Sequence, residues 1–160
     1  MWHRQWRLLL THMSEKTIQI ELNQRQDYRF DVVFGGDVPL LTTDEPAPLG
    51  TGLGPSPVQL LSAAVGNCLS DSLLFALRKF KQAPEPIHCQ ITSEVGRNAD
   101  NRLRVLGIHA VLTLGVPGES LEHLDHVLDT FETYCTVTQS VGHGIPVTIA
   151  VLDSQGKTLK

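Results

Sequence analysis

One segment, PVQLLSAAVGNCLSDSLLFALRKF (residues 57–80), constrains the fold of this chain more than any other. Ser56 is a favourable N-cap, Pro57 suits the first helical position, and Gln59 completes a capping box, so a helix is predicted to begin here. Apolar side chains then cover most of its circumference: Val58, Leu60, Leu61, Ala64, Val65, Leu69, Leu73, Leu74, Phe75 and Leu77. A helix that is apolar nearly all round is buried in a core. The segment therefore predicts a long, buried central helix with Cys68 near its middle.

The segments on both sides of this helix alternate as β-strands do. TIQIEL and YRFDVVF precede it and predict a β-hairpin. IHCQITSEV and RLRVLGIHAVLTL follow it, and the second changes its inward phase at Gly107, which predicts a β-bulge. A helical stripe in ESLEHLDHVLDTFETY, a short helix opened by a Thr136–Gln139 capping box, and the strand IPVTIAVLD complete the chain. This order predicts an α+β fold with helices on one face of a mainly antiparallel sheet.

The length of the chain, 160 residues, fits a single domain, which we place at residues 15–160. The start, MWHRQWRLLLTHM, has no convincing signal-peptide core or cleavage site. Residues 1–14 are therefore predicted to be a poorly ordered N-terminal extension, with Met13 as the natural start codon.

The composition limits which classes of binding partner and which cellular compartment are expected for the protein. A net charge of −4 argues against binding to nucleic acid or an anionic membrane surface, since both need a basic patch. No apolar run approaches the ~20 residues of a membrane span. The three cysteines form no CxxC pair and no closed disulfide framework, which favours a reducing compartment. These features predict a cytoplasmic protein with neither a nucleic-acid nor a membrane partner.

The sequence contains weaker signals for three other kinds of site. The loop DEPAPLGTGLGPSP lacks the GK[ST] of a phosphate-binding loop. His123 and His126 lie three residues apart, but no further ligands stand near them, so solvated histidines are favoured and no metal or cofactor is predicted. A cysteine–histidine hydrolase with His143 as base stays open, although no nucleophile-elbow motif surrounds Cys68 or Cys135.

The cysteines occupy three different settings. Cys89 shares the inward phase of its strand with isoleucines, so a structural role is favoured. Cys135 directly precedes a predicted helix start, where free N–H groups and the helix dipole are expected to lower the pKa of its thiol. The apolar helix around Cys68 disfavours a thiolate unless a cation is near. Arg25 and Arg29 in the hairpin are the candidates for that cation.

The two outer cysteines lie in motifs that resemble those of one family. GPSPVQLLSAAVGNCLSDSLL resembles the central-helix motif of the OsmC/Ohr family (osmotically inducible protein C and organic hydroperoxide resistance proteins). YCTVTQSV resembles the second motif of that family, a cysteine followed by a short helix and a final strand. With the order of the elements around them, the resemblance extends from about Lys16 to Asp153.

The resemblance implies a fold, a reaction and a set of residues. Members of the family are intertwined α+β homodimers with active sites at the subunit interface. In the peroxidases among them, the cysteine matching Cys68 attacks an organic hydroperoxide as a thiolate and becomes a sulfenic acid. The cysteine matching Cys135 then forms a disulfide with it, and a dithiol of the lipoamide type reduces the bond.

One departure from the family pattern concerns the arginine that stabilises the thiolate. In the peroxidases a glutamate after the helix-starting proline orients that arginine, whereas this chain has Val58 there. Glu45 in the preceding loop is the candidate replacement. Arg29 is the preferred match for the arginine itself, and Arg25 is the alternative.

Two hypotheses follow from the sequence. The first is a thiol-dependent peroxidase for organic hydroperoxides, with Cys68 as nucleophile, Cys135 as resolving thiol and Arg29 as thiolate stabiliser. The second, favoured by Val58, is a binding or redox-responsive protein on the same scaffold without efficient peroxidase turnover. Either its Cys68 pocket holds an apolar ligand, or its cysteine pair responds to oxidation as a slow switch.

Overall fold

The computed structural model describes residues 16–160. The predicted N-terminal extension, residues 1–14, lies outside these residues. By its internal contacts the chain divides into two compact units, one ending at Gly54 and the other covering Pro55–Lys160. The single domain predicted over residues 15–160 stays a prediction, and each unit is described by itself.

The first unit is a small antiparallel sheet of three strands. β1 (Glu21–Gln26) pairs with β2 (Arg29–Val33), and β2 pairs with β3 (Leu41–Thr43). A hairpin forms as predicted, with Asp27 in the left-handed backbone region at its turn. Its first strand, ELNQRQ, begins four residues later than the predicted TIQIEL (17–22), so the predicted bounds of that strand are wrong. β3 has no signal in the sequence, because three residues are too few to show a period. All six residues of β1 are exposed, whereas most residues of β2 and β3 are half-buried or buried.

The predicted central helix is α1 (Pro57–Lys79), and its start is the one expected. The Ser56 hydroxyl accepts a hydrogen bond from the Gln59 backbone N–H, and the Gln59 side chain accepts one from the Ser56 N–H. Within the chain α1 buries one stripe, which consists of Val65, Gly66, Leu69, Leu73 and Leu77. Its length and apolar composition would allow it to span a membrane, but core helices of water-soluble proteins share these properties.

The second unit contains a three-stranded sheet that packs against α1. β4 (His88–Arg97) pairs antiparallel with β5 (Leu103–Thr113), which pairs parallel with β6 (Val147–Leu152). Glu94 pairs with Gly107 and Val95 with Val105, which leaves Leu106 as the extra residue and confirms the predicted bulge. In the core, the α1 stripe packs with apolar residues of β5 and the residue after it: Ile108, Ala110, Leu112 and Leu114. The helical segment that follows β5 in the chain adds Val127, Leu128 and Phe131. The observed architecture is the predicted α+β fold with mainly antiparallel pairing.

The segment ESLEHLDHVLDTFETY, whose apolar stripe predicts one continuous helix, is divided into shorter helices. Three short helices replace the continuous one: a 3₁₀ helix at Gly118–Ser120, α2 (Leu124–Thr130) and a 3₁₀ helix at Phe131–Tyr134. The break before α2 falls at His123, whose left-handed backbone (φ 59°) cannot continue a helix. Its ring stacks on Phe80 instead, with the ring centroids 4.6 Å apart.

The start of α3 (Thr136–Val141) differs from the sequence prediction. Its N-cap is Cys135, whose extended backbone places its carbonyl to accept from the Gln139 N–H at 2.9 Å. The Gln139 side chain donates to the Glu132 carbonyl, so it cannot close a capping box with Thr136. The predicted Thr136–Gln139 box is therefore wrong.

Candidate functional site

Cys68 and Cys135 lie together where α1 packs against α3 and the 3₁₀ helix before it. Cys68 comes from the middle of α1, and Cys135 occupies the junction between the 3₁₀ helix and α3. Their Sγ atoms are 2.6 Å apart, and the Cys135 thiol donates to Cys68 Sγ. Both thiols are free. The two cysteines, 67 residues apart in the chain, can thus react with each other without a large movement of the backbone.

The two thiols differ in their access to solvent. Cys68 is half-buried, whereas Cys135 is fully buried. Burial raises the pKa of the Cys135 thiol, and its hydrogen bond with Cys68 raises that pKa further. Hydrogen bonding by the Thr138 side chain and backbone N–H acts in the opposite direction. The predicted lowering of the Cys135 pKa by the helix start is therefore wrong, because loss of solvation outweighs it.

Thr138 is a site residue that the sequence analysis missed. Its side chain is buried, and its Oγ1 lies 2.9 Å from Cys135 Sγ. The spacing C-x-x-T across a helix start was the available signal, because a residue three positions into a helix faces the residue that caps it. The sulfur of Cys135 therefore has two polar side-chain neighbours, a thiol and a hydroxyl, besides the Thr138 backbone N–H.

Arg29, the third predicted site residue, belongs to the first unit. Its Nη2 donates to Thr51 Oγ1 at 2.8 Å, and its Nε lies 3.8 Å from Asp44 Oδ2. Nε is buried without a hydrogen-bond partner among residues 16–160. The alternative, Arg25, has a mostly exposed side chain that pairs with Asp31 at 3.1 Å. The predicted role of Arg29, stabilisation of a thiolate, stays a prediction.

Asp44 is the buried carboxylate beside Arg29. It accepts from the backbone N–H groups of Glu45, Thr51 and Leu53 and from the Thr51 hydroxyl, the last at 2.6 Å. The Thr51 hydroxyl is the main cause that lowers the pKa of Asp44, to about 2 against the opposing effect of burial. Asp44 is thus a permanent anion at neutral pH, and Thr51 links it to the guanidinium.

The comparisons with known proteins concern the segment that contains the cysteines. The family model described as OsmC-like protein matches residues 50–150, a range that includes Cys68 and Cys135. The chain belongs to the OsmC-like protein family. No curated protein matches the sequence at a significant level.

Solved structures of OsmC-like proteins share the fold of this chain. An OsmC-like protein of unknown function from Vibrio cholerae superposes with a TM-score of 0.74 at 14% identity, covering 86% of this chain and 100% of its own. The organic hydroperoxide resistance protein OhrB of Bacillus subtilis gives 0.66 at 13% identity, with 85% and 98% covered. An organic hydroperoxide resistance protein OsmC from Legionella pneumophila gives 0.66 at 13% identity, with 85% and 96% covered.

The resemblance implies a glutamate that orients an arginine, and this OsmC-like chain has Val58 at the corresponding position. Val58 occupies the first turn of α1, and that turn contains no acidic residue. The carboxylate beside Arg29 is Asp44, from the loop after β3. Glu45, the candidate suggested by the sequence, uses backbone groups: its N–H donates to Asp44 and its carbonyl accepts from the Gly52 N–H. The carboxylate that pairs with Arg29 is that of Asp44, so the expectation for Glu45 is wrong. The loop carboxylate was one residue away from the position that sequence reasoning selected.

The remaining candidates of the OsmC-like chain lie outside the thiol pair. Cys89 is half-buried on β4, and burial raises the pKa of its thiol, which suits the predicted structural role. His143 is exposed beyond the end of α3, whereas Cys135 Sγ contacts Cys68 and Thr138. The geometry therefore favours a thiol pair over a cysteine–histidine hydrolase. In residues 16–160 no group of three His, Cys, Asp or Glu side chains is arranged to hold a metal ion.

Proposed function

We propose that this OsmC-like protein is a thiol-dependent peroxidase that reduces organic hydroperoxides and acts in oxidative-stress defence in the cytoplasm. The observation that carries the proposal is the 2.6 Å separation of a half-buried and a fully buried thiol, Cys68 and Cys135. The half-buried thiol can meet a peroxide, and the buried one is already in place to resolve the oxidised product.

The proposed catalytic cycle has three steps: oxidation of Cys68, formation of the disulfide and reduction of the disulfide. The Cys68 thiolate attacks the outer oxygen of ROOH, the O–O bond breaks, and the alkoxide takes a proton to leave as ROH, with Cys68 as sulfenic acid. The Cys135 sulfur attacks the Cys68 sulfur, and hydroxide leaves with the Cys135 proton as water, which forms the disulfide. An external dithiol of the lipoamide class then reduces the protein disulfide by thiol–disulfide exchange. This step restores both cysteine thiols and leaves the reductant as a disulfide.

The surroundings of Cys68 support an organic peroxide as the substrate. Cys68 packs at the edge of a hydrophobic cluster that includes Leu69, Phe131 and Val141. Apolar walls favour an alkyl or aryl group over water and hydrogen peroxide, because the ligand gains by leaving water.

The first test combines a thiol count with a turnover measurement. We expect one equivalent of cumene hydroperoxide to convert the reduced protein to a species with a Cys68–Cys135 disulfide, identified by intact mass and peptide mapping, with Cys89 still reduced. With a supplied dithiol, turnover continues, and it is faster with cumene hydroperoxide than with hydrogen peroxide. Three unreacted thiols after exposure would rule out the peroxidase, and a preference for hydrogen peroxide would rule out the substrate class.

A second candidate is a binding or redox-responsive protein without efficient turnover. The absence of an acidic residue from the first turn of α1 favours it, because the family glutamate that orients the arginine has no counterpart there. The same turnover measurement separates the two functions, since a redox-responsive protein consumes at most one equivalent of peroxide per thiol pair. An apolar ligand that binds with no oxidation of Cys68 supports the binding protein.

The active form is proposed to be a homodimer. Large apolar side chains are exposed in the single chain, among them Phe75 on α1 and Ile18, Leu22 and Leu40 of the first unit. A partner chain would remove such apolar surface from water, which favours association. We expect light scattering coupled to size-exclusion chromatography to give twice the mass of one chain. A monomer mass at micromolar concentration would contradict the dimer.

A further inference from the structure

The unequal burial of the two thiols determines how their disulfide can be opened. A thiolate attacks a disulfide along the S–S axis, from the side opposite the leaving sulfur, so the attacked sulfur needs an open approach. Cys135 is fully buried in the core cluster, whereas Cys68 retains exposed surface. On this basis Cys68 Sγ is the sulfur that an external reductant is expected to attack, with Cys135 as the leaving group.

A buried leaving thiolate needs stabilisation where it forms. Burial disfavours the charged form of Cys135, and a leaving thiol with a raised pKa departs slowly. Within residues 16–160, the polar side-chain neighbour of Cys135 Sγ besides Cys68 is the Thr138 hydroxyl, at 2.9 Å. In the dithiol state the Cys135 thiol has one proton, for which Cys68 Sγ and this hydroxyl are the two side-chain acceptors within reach. A hydroxyl can exchange donor and acceptor roles by rotation, so Thr138 can donate to Cys135 once the sulfur carries a negative charge.

We propose that Thr138 is a catalytic residue of the reductive half-reaction, in which it donates a hydrogen bond to the Cys135 thiolate released when a dithiol attacks Cys68. In this step the reductant sulfur forms a bond to Cys68 Sγ, the bond between the two cysteines breaks, and its electron pair stays on Cys135 Sγ. The second thiol of the reductant then attacks the other sulfur of the reductant, the one bonded to Cys68 in the mixed disulfide. Cys68 leaves as a thiolate, and the reductant becomes a cyclic disulfide.

The direction of attack is tested by trapping the mixed disulfide. Because the proposal rests on the redox pair of the proposed function, the disulfide is prepared with diamide and not with a peroxide. The oxidised protein is mixed briefly with 2-mercaptoethanol, quenched with acid, alkylated and mapped by peptide mass spectrometry. We expect the mercaptoethanol adduct on Cys68 and the alkyl group on Cys135. An adduct on Cys135 would overturn the proposal.

The role of the hydroxyl is tested by Thr138→Val, which removes it at nearly constant volume. We expect the rate constant for reduction of the disulfide by dithiothreitol to fall about tenfold, the size of effect expected when a charged group loses a hydrogen bond. Thr138→Ser should restore the rate, because it returns the hydroxyl. Thr136→Val, which removes an exposed hydroxyl from the same helix, is the matched control and should reduce like the wild type.

A second readout distinguishes this role from a structural one. In a background where Cys68 and Cys89 are replaced by serine, the pKa of Cys135 is followed by thiolate absorbance. We expect Thr138→Val to raise that pKa and Thr138→Ser to return it. An unchanged pKa together with an unchanged reduction rate would overturn the role of Thr138.

The outcomes separate this proposal from the peroxidase. If peroxide fails to oxidise the pair but the diamide disulfide opens at Cys68 with the expected dependence on Thr138, only the peroxidase fails. If peroxide forms the disulfide but the rate of disulfide reduction does not depend on Thr138, only the role proposed for Thr138 fails. If diamide forms no bond between Cys68 and Cys135, both are overturned.

Discussion

The Cys68→Ser variant is expected to lose reduction of cumene hydroperoxide by about a thousandfold or more, because a serine hydroxyl stays protonated at neutral pH and is a far weaker nucleophile than a thiolate. The measurement is kcat/KM in a coupled assay with a dithiol reductant. The loss should appear in the first chemical step, so the variant should also show no peroxide-dependent oxidation of Cys135. Cys68 lies at the edge of the core and serine is similar in size, so the fold should be retained.

Two other cysteine variants make this result specific. Cys89→Ser is the matched control, because Cys89 is half-buried on β4 and is not part of the thiol pair. It should turn over like the wild type. In Cys135→Ser, Cys68 should react with the first equivalent of peroxide but form no disulfide, and excess peroxide should add the mass of a second oxygen atom as sulfinic acid. Activity of Cys68→Ser equal to that of Cys89→Ser would refute the assignment of the nucleophile.

The Phe131→Ala variant is expected to lose about 3–5 kcal/mol of unfolding free energy, the usual cost of removing a large aromatic side chain from a core. Phe131 has no exposed surface and belongs to the same cluster as Leu69, Leu73 and Cys135. Lys160 also lies over its ring, with Nζ 5.3 Å from the ring centroid, and donates to the Leu128 carbonyl. The cavity would therefore remove support from the segment that positions Cys135.

Urea unfolding followed by circular dichroism measures this loss, with the slope of the transition as a check on two-state behaviour. Tyr134→Ala is the matched control, because Tyr134 lies on the same 3₁₀ helix but is 68% exposed. It should change the stability by much less. Alkylation of Cys135 should also become faster in Phe131→Ala, since the thiol loses burial. Equal stabilities of the two variants would show that Phe131 does not support this part of the core.

The elements with strong local signals were predictable from the sequence. The start of α1 depends on Ser56 and Gln59, which are neighbours in any helix that begins there, so the capping box needed no tertiary information. The bulge before Gly107 was visible as a phase change within one strand. By contrast, the helical stripe around residue 123 did not reveal a break, because stacking of His123 on Phe80 depends on a contact distant in the chain.

The chemistry of the site was predictable only at the level of residue type. The motifs identified Cys68 and Cys135, and the resemblance implied that they act together. From the sequence, the pKa of Cys135 is predicted to be lowered, because the helix start is visible as a local pattern. The burial that raises this pKa depends on tertiary packing and is not visible in the sequence. It also selected Glu45, although the side chain beside Arg29 is that of its neighbour Asp44, because the conformation of the loop decides which carboxylate points inward.

Local sequence patterns predict the α+β class, the long apolar helix, most of the strands around it and the two cysteine motifs, because these depend on periodicity and on contacts between near neighbours. Three features follow from the three-dimensional packing and from no local pattern: the 2.6 Å separation of the two sulfur atoms, the burial of Cys135 and its contact with Thr138. Such contacts join α1 to the junction before α3 across 67 residues of chain. They arise from how the helices pack, and packing combines weak preferences from the whole core that no local pattern contains.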